Sequence, residues 1–175
     1  MKTIKHLLIT IAVLLCSTTA SAHDFEVDGI YYNVTSLIDL TVEVTYKGAN
    51  LSSYSEEYSG NVVIPKNVNY NGEIYSVTSI RSYAFESCSS LTSIEIPNSI
   101  TNIESYAFSG CTSLKDLRIE DGETTLKLGY NVYSSSYYSS GRGLFIDCPL
   151  QTLYLGRNLE YETSSKYGYS PFFYN

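Results

Sequence analysis

Between residues 80 and 119 the apolar positions recur at a fixed interval. Ile80, Ala84, Phe85, Cys88, Leu91, Ile94 and Ile96 are matched 23 residues later by Ile103, Ala107, Phe108, Cys111, Leu114, Leu117 and Ile119. A third unit reads Phe145, Cys148, Leu150, Leu153 and Leu155. Ahead of them, Val62-Val63-Ile64-Pro65 matches Ile94-Glu95-Ile96-Pro97, and Phe172 with Asn175 opens a further unit. Such self-similarity marks stacked supersecondary units rather than a catalytic motif. Within Leu91-x-x-Ile94-x-Ile96, the two isoleucines share one face while Ser93, Glu95 and Pro97 take the other. The alternation predicts one short strand per unit, parallel to its neighbours. The Ala-Phe-x-x-Cys stretch before it is too short for a long helix and predicts a single helical or 3-10 turn. Neither element buries its apolar face alone; stacking does.

Residues 23–60 lack this period. Asp28-Gly29 between two β-prone runs predicts a tight hairpin, and the alternation of Leu40 to Tyr46 predicts a half-buried strand. Asn50 to Gly60, rich in Ser, Tyr and Glu, reads as an exposed loop. The region is expected to be a small β-rich cap over the first repeat. Residues 1–22 have a basic start at Lys2 and Lys5, an apolar run Leu7 to Leu15, and Ala20-Ser21-Ala22, the layout of a secretory leader cleaved after Ala22. The apolar run is too short to span a bilayer. The expected organisation is therefore a leader at 1–22, a cap at 23–60, and repeats over 61–175 that end mid-repeat. The strand due after Phe172 is missing, so the repeat phase leads us to expect that the natural chain continues.

Without the leader, the 11 Lys and Arg of the chain fall to 9 against 18 Asp and Glu, a net charge of −9. Such a surface repels nucleic acid. Cys88, Cys111 and Cys148 each stand three residues after a Phe and are expected to be buried small plugs. His23 stands alone at a terminus expected to fray, so no Ser-His or Cys-His arrangement is available. Neither zinc spacing nor a phosphate loop is present. Glu56-Glu57 and Glu120-Asp121 read as solvated surface. The sequence implies no enzyme, metal or cofactor.

The pattern Ile-x-x-x-Ala-Phe-x-x-Cys-x-x-Leu-x-x-Ile-x-Ile-Pro-x-x-Ile resembles the BspA-like leucine-rich repeat (family 5 type) of bacterial surface proteins, those of Bacteroides-type bacteria among them. Ser99 and Gly122 replace the Asn that other leucine-rich repeats carry after the strand; only Asn158 matches. The resemblance implies a leucine-rich-repeat solenoid of short parallel strands at the cell surface, outer membrane or exterior. It implies a monomeric adhesion or interaction module whose partners are host or bacterial proteins or glycans. The alternatives are a spacer displaying another domain, or a glycan-binding accessory of a polysaccharide-degrading system. Two candidate contact regions follow. One is the outward strand column Val63, Glu95, Arg118, Tyr154, beside a second column of Ser93, Asp116 and Thr152. The other is the Tyr/Ser/Gly insertion holding Tyr130, Tyr133, Tyr137 and Tyr138, a composition suited to adaptable binding loops. Leu114 to Phe145 spans 31 residues where Leu91 to Phe108 spans 17.

Overall fold

The computed structural model describes residues 23–48, 57–129, 144–161 and 171–172. The leader and the insertion tyrosines lie outside the described residues. In chain order the strands are β1 (Phe25–Val27), β2 (Ile30–Ser36), β3 (Thr41–Thr45), β4 (Gly60–Val63), β5 (Asn67–Tyr70) and β6 (Glu73–Ile80). They continue as β7 (Leu91–Ile96), β8 (Asn102–Ile103), β9 (Asp116–Ile119), β10 (Leu126–Leu128), β11 (Thr152–Leu155) and β12 (Leu159–Glu160).

Two sheets flank one core. The Leu-x-x-Ile-x-Ile segments form the parallel sheet β4-β7-β9-β11, here called sheet B. Ile94, Ile96, Leu117 and Ile119 point into the core and are 0–2% exposed. On the opposite side, β3, β6, β8, β10 and β12 run parallel in a second sheet, sheet A. The layers β3/β4, β6/β7, β8/β9 and β10/β11 thus give one strand to each sheet, and β12 adds one more to sheet A.

A turn segment connects the sheets within a layer. The expected helical or 3-10 turn is instead a chain of separate i to i+3 turns, with the Ala84 amide bonded to the Arg81 carbonyl and the Cys88 amide to that of Phe85, each at 3.1 Å. Tyr83 (φ 65°) and Ser87 (φ 57°) interrupt it, as Tyr106 and Gly110 do one layer on. Left-handed residues cannot extend a right-handed turn, so no helix forms among the described residues. These turns also stack: the Phe85 and Ser87 amides donate to the Ala107 and Ser109 carbonyls at 2.8 and 2.7 Å. Behind them runs an aromatic column, with ring centroids 5.0 Å apart for Phe85–Phe108, 5.1 Å for Phe108–Phe145 and 5.3 Å for Phe145–Phe172.

At the N-terminal end, Asp28 and Gly29 both take positive φ and close the β1–β2 hairpin. Phe25 stacks on Tyr70 at 4.0 Å and closes the core there. Tyr58, placed by its polar neighbours in an exposed loop, is 3% exposed. Its ring lies 4.4 Å from Phe85 and heads the aromatic column. The hydroxyl donates to the Thr45 carbonyl at 2.6 Å and accepts from the Tyr31 amide at 3.2 Å, which makes the burial affordable. His23 is not frayed: its Nδ1–H donates to the Lys47 carbonyl at 3.1 Å.

Candidate functional site

Side chains alternate along a strand, so each inward-directed pair in sheet B leaves one residue between them on the outer face, although on β11 that pair, Leu153 and Leu155, is itself exposed. Register aligns these residues across layers. Val63 pairs with Glu95, Glu95 with Arg118, and Arg118 with Tyr154. All four stand in one row. The Arg118 Nε–H donates to Glu95 Oε1 at 3.2 Å, and the guanidinium carbon lies 4.3 Å from the centre of the Tyr154 ring. Arg118 is thus held between a carboxylate and an aromatic face, the two partners a planar cation favours. The second column is also in register, Asn61–Ser93–Asp116–Thr152, with the Ser93 hydroxyl donating to Asn61 Oδ1 at 2.5 Å.

The residues just past the strands, Glu120 and Asp121 among them, read from the sequence as solvated surface, yet they fix this row. Tyr154 donates its phenol hydrogen to Asp121 Oδ1 at 2.8 Å. That bond and the carboxylate's charge push the Tyr154 phenol above its ordinary pKa. Glu120 accepts the Asn98 amide at 3.0 Å and pairs with the Lys66 ammonium at 3.0 Å. The Asn98 bond foremost, with Lys66, holds the Glu120 carboxyl below the usual range. Neither Glu120 nor Asp121 is merely solvated; each ties one layer to another. Beneath them Arg157, only 8% exposed, donates to the Pro97 and Asn98 carbonyls at 3.1 and 3.0 Å, from two layers away.

Chemically, this face offers a preformed row of charge, amide, hydroxyl and aromatic surface in which the principal charges already have partners. A polar recess of about 370 Å³ lies elsewhere, lined by Asp24, Asn33, Val34, Glu43 and Arg81. There Asn33 Nδ2 lies 3.3 Å and Arg81 Nε 3.7 Å from Glu43 Oε1, so that carboxyl is already engaged. Among the described residues no three His, Cys, Asp or Glu side chains gather as a metal site. Nor is any helix among them long and apolar enough to cross a membrane.

Comparison with known proteins agrees with this architecture. The model of the BspA type leucine rich repeat region matches residues 73–170 in six copies, more than half of the chain. A leucine-rich cell surface protein of Faecalibacterium prausnitzii superposes with a TM-score of 0.51 at 24% identity. A leucine-rich repeat protein of Bacteroides ovatus does so with a TM-score of 0.50 at 26% identity. The matches cover 74% and 78% of this chain but only 29% and 37% of those longer proteins. No curated protein matches the chain significantly.

Proposed function

The chain belongs to the BspA-type leucine-rich repeat family, and we propose that it is an exported, non-enzymatic interaction module that binds a protein or glycan at the cell surface, as a monomer. The observation that carries this reading is the Val63–Glu95–Arg118–Tyr154 row, in register on the outer face of sheet B. Tyr and Arg are among the residue types most often responsible for binding energy at protein interfaces. Here each is held in position before any partner arrives, which lowers the entropic cost of association. The leader-like layout of residues 1–22 and the similarity to a cell surface protein of F. prausnitzii support an exported location.

The test probes the chain from His23 onward against arrays of soluble matrix and plasma proteins and of glycans. Arg118→Ala and Tyr154→Ala should each lower the affinity for whatever binds by about tenfold, or 1.4 kcal/mol. If those variants bind normally while replacement of residues 130–140 by a Gly/Ser linker abolishes binding, the contact belongs to Tyr130, Tyr133, Tyr137 and Tyr138. Glycan-only binding would favour the accessory role in polysaccharide degradation. Binding to nothing would leave the chain a spacer.

A further inference from the structure

The turn joining β2 to β3 carries the two most exposed large apolar side chains among the described residues, Leu37 at 74% and Ile38 at 94%. Ile74, 64% exposed, stands near the start of β6, the strand beside β3. It precedes by two residues Ser76, whose amide donates to the Leu40 carbonyl at 2.8 Å. Three branched aliphatic residues therefore lie toward one end of sheet A. Single exposed aliphatics are ordinary, but a group of them on a projecting hairpin end marks an interaction site.

The tip is rigid as well as apolar. The Ser36 hydroxyl donates to Asp39 Oδ2 at 2.9 Å and accepts the Asp39 amide at 3.0 Å. Just below, the Thr35 and Thr41 hydroxyls bond across the strands at 2.7 Å. Leu40 closes the turn at φ 51°, a conformation Gly or Asn would adopt at less cost. Nothing in the closure of this turn requires Leu37 or Ile38, and both point to solvent. With the turn held so, its backbone loses little freedom on docking.

Charge narrows what can cover them. Asp39 lies in the tip and Glu73 directly precedes Ile74, on a chain of net charge −7. An anionic bilayer surface would repel these carboxylates. A second copy would bring the same acids together around too few side chains to hold a dimer. We propose that Leu37, Ile38 and Ile74 form a knob that docks into an apolar pocket of another protein, one rimmed by Lys or Arg. The knob belongs to sheet A, whereas the Val63–Tyr154 row lies on sheet B, so the two surfaces are independent.

A photo-crosslinking residue at Asn69, the cross-strand partner of Ile74, tests this in cells that make the chain, with the same residue at exposed Thr101 as control. The protein joined from position 69 but not from 101 is identified, purified and titrated. Leu37→Ser/Ile38→Ser should weaken its binding at least tenfold while leaving the melting temperature unchanged, since neither side chain is buried. Asp39→Asn/Glu73→Gln should weaken binding less and flatten its salt dependence. The crosslinked peptide should lie at an apolar pocket bordered by basic residues. The proposal is overturned by a crosslink between two copies of this chain, by no crosslink above the control, or by affinity that ignores both double variants. Ile38-dependent sedimentation with phosphatidylcholine vesicles would overturn it in favour of a lipid surface.

Discussion

The Cys111 thiol donates to the Phe85 carbonyl one layer back, with sulfur and oxygen 3.0 Å apart, and Cys148 repeats the contact on Phe108 at 3.0 Å. Each carbonyl already accepts an amide of its own turn, from Cys88 and from Cys111, so the thiol takes its second lone pair. Cysteine therefore fills the slot behind the aromatic column and also bonds one layer to the next.

This geometry predicts inert thiols. Cys88, Cys111 and Cys148 are all buried, and none forms a disulfide. Hydrogen bonding with Cys148, together with burial, pushes the Cys111 thiol far above its ordinary pKa, which suppresses the reactive thiolate. All three should resist iodoacetamide in native buffer and react once urea unfolds the chain. Cys111→Ala should cost about 1–2 kcal/mol, from a small cavity and a lost hydrogen bond. Rapid native labelling of the three would contradict this.

Gly156 predicts a sharper failure. A Cβ placed there would meet the Asp121 amide nitrogen and stand 2.6 Å from the Glu120 carbonyl carbon. Both are backbone atoms that cannot rotate away. The Gly156 amide also donates to the Ile119 carbonyl at 2.9 Å, which pins β11 against β9 at this point. Gly156→Ala should therefore push the two strands apart and cost about 1–3 kcal/mol or more, read as a lower urea midpoint. A wild-type midpoint would show that the contact relaxes freely.

Sheet B and the Phe and Cys columns were legible because they recur at 23 residues and alternate within each strand. Sheet A was not. Asn102–Ile103 and Leu159–Glu160 are two-residue strands, too short to show a period, and each announces itself by a single apolar residue. The β5–β6 hairpin was signalled by Asn71-Gly72, both at positive φ, but nothing repeats it. Tyr58 was hidden by the polar run around it, since its partners Tyr31, Thr45 and Phe85 are 13 to 27 residues away. The outward row followed from alternation alone. Its fixing contacts, Asp121 on Tyr154 and Lys66 with Asn98 on Glu120, join irregular residues of different layers and leave no periodic trace.

Glu43 should give stability a distinct pH dependence. The residue is 4% exposed on β3. Burial raises its pKa, while Asn33 and Arg81 act in the opposite direction and the Glu104 and Asp24 carboxylates add to the rise. A carboxyl whose folded pKa exceeds its unfolded value of about 4.3 contributes stability fully present below that value. The contribution is lost as pH rises through the folded pKa. Glu43→Gln removes the titration, so its stability relative to wild type should climb as pH rises above about 4. Urea midpoints across that range check it, and a difference independent of pH would show that Glu43 titrates alike in both states.

The Glu95–Arg118 pair should matter little to folding, which is what makes it usable as a binding probe. The two side chains are 35% and 46% exposed and 3.2 Å apart. Solvent screens such a pair and its ordering entropy opposes it, so a double-mutant cycle with Glu95→Ala and Arg118→Ala should return a coupling of at most about 1 kcal/mol. The aromatic end of the row gives an independent readout. Asp121→Asn removes the carboxylate that holds the Tyr154 phenol high, so that phenol should ionise at lower pH. Ultraviolet titration, with Tyr154→Phe subtracted to isolate one tyrosine, reads this directly. Arg118→Ala should shift the same titration upward, because the nearby cation favours the phenolate. Opposite shifts from the two variants would establish that Asp121, Tyr154 and Arg118 form one connected row in solution. A phenol indifferent to both would mean that the row comes apart, and that Arg118 and Tyr154 meet a partner as separate side chains.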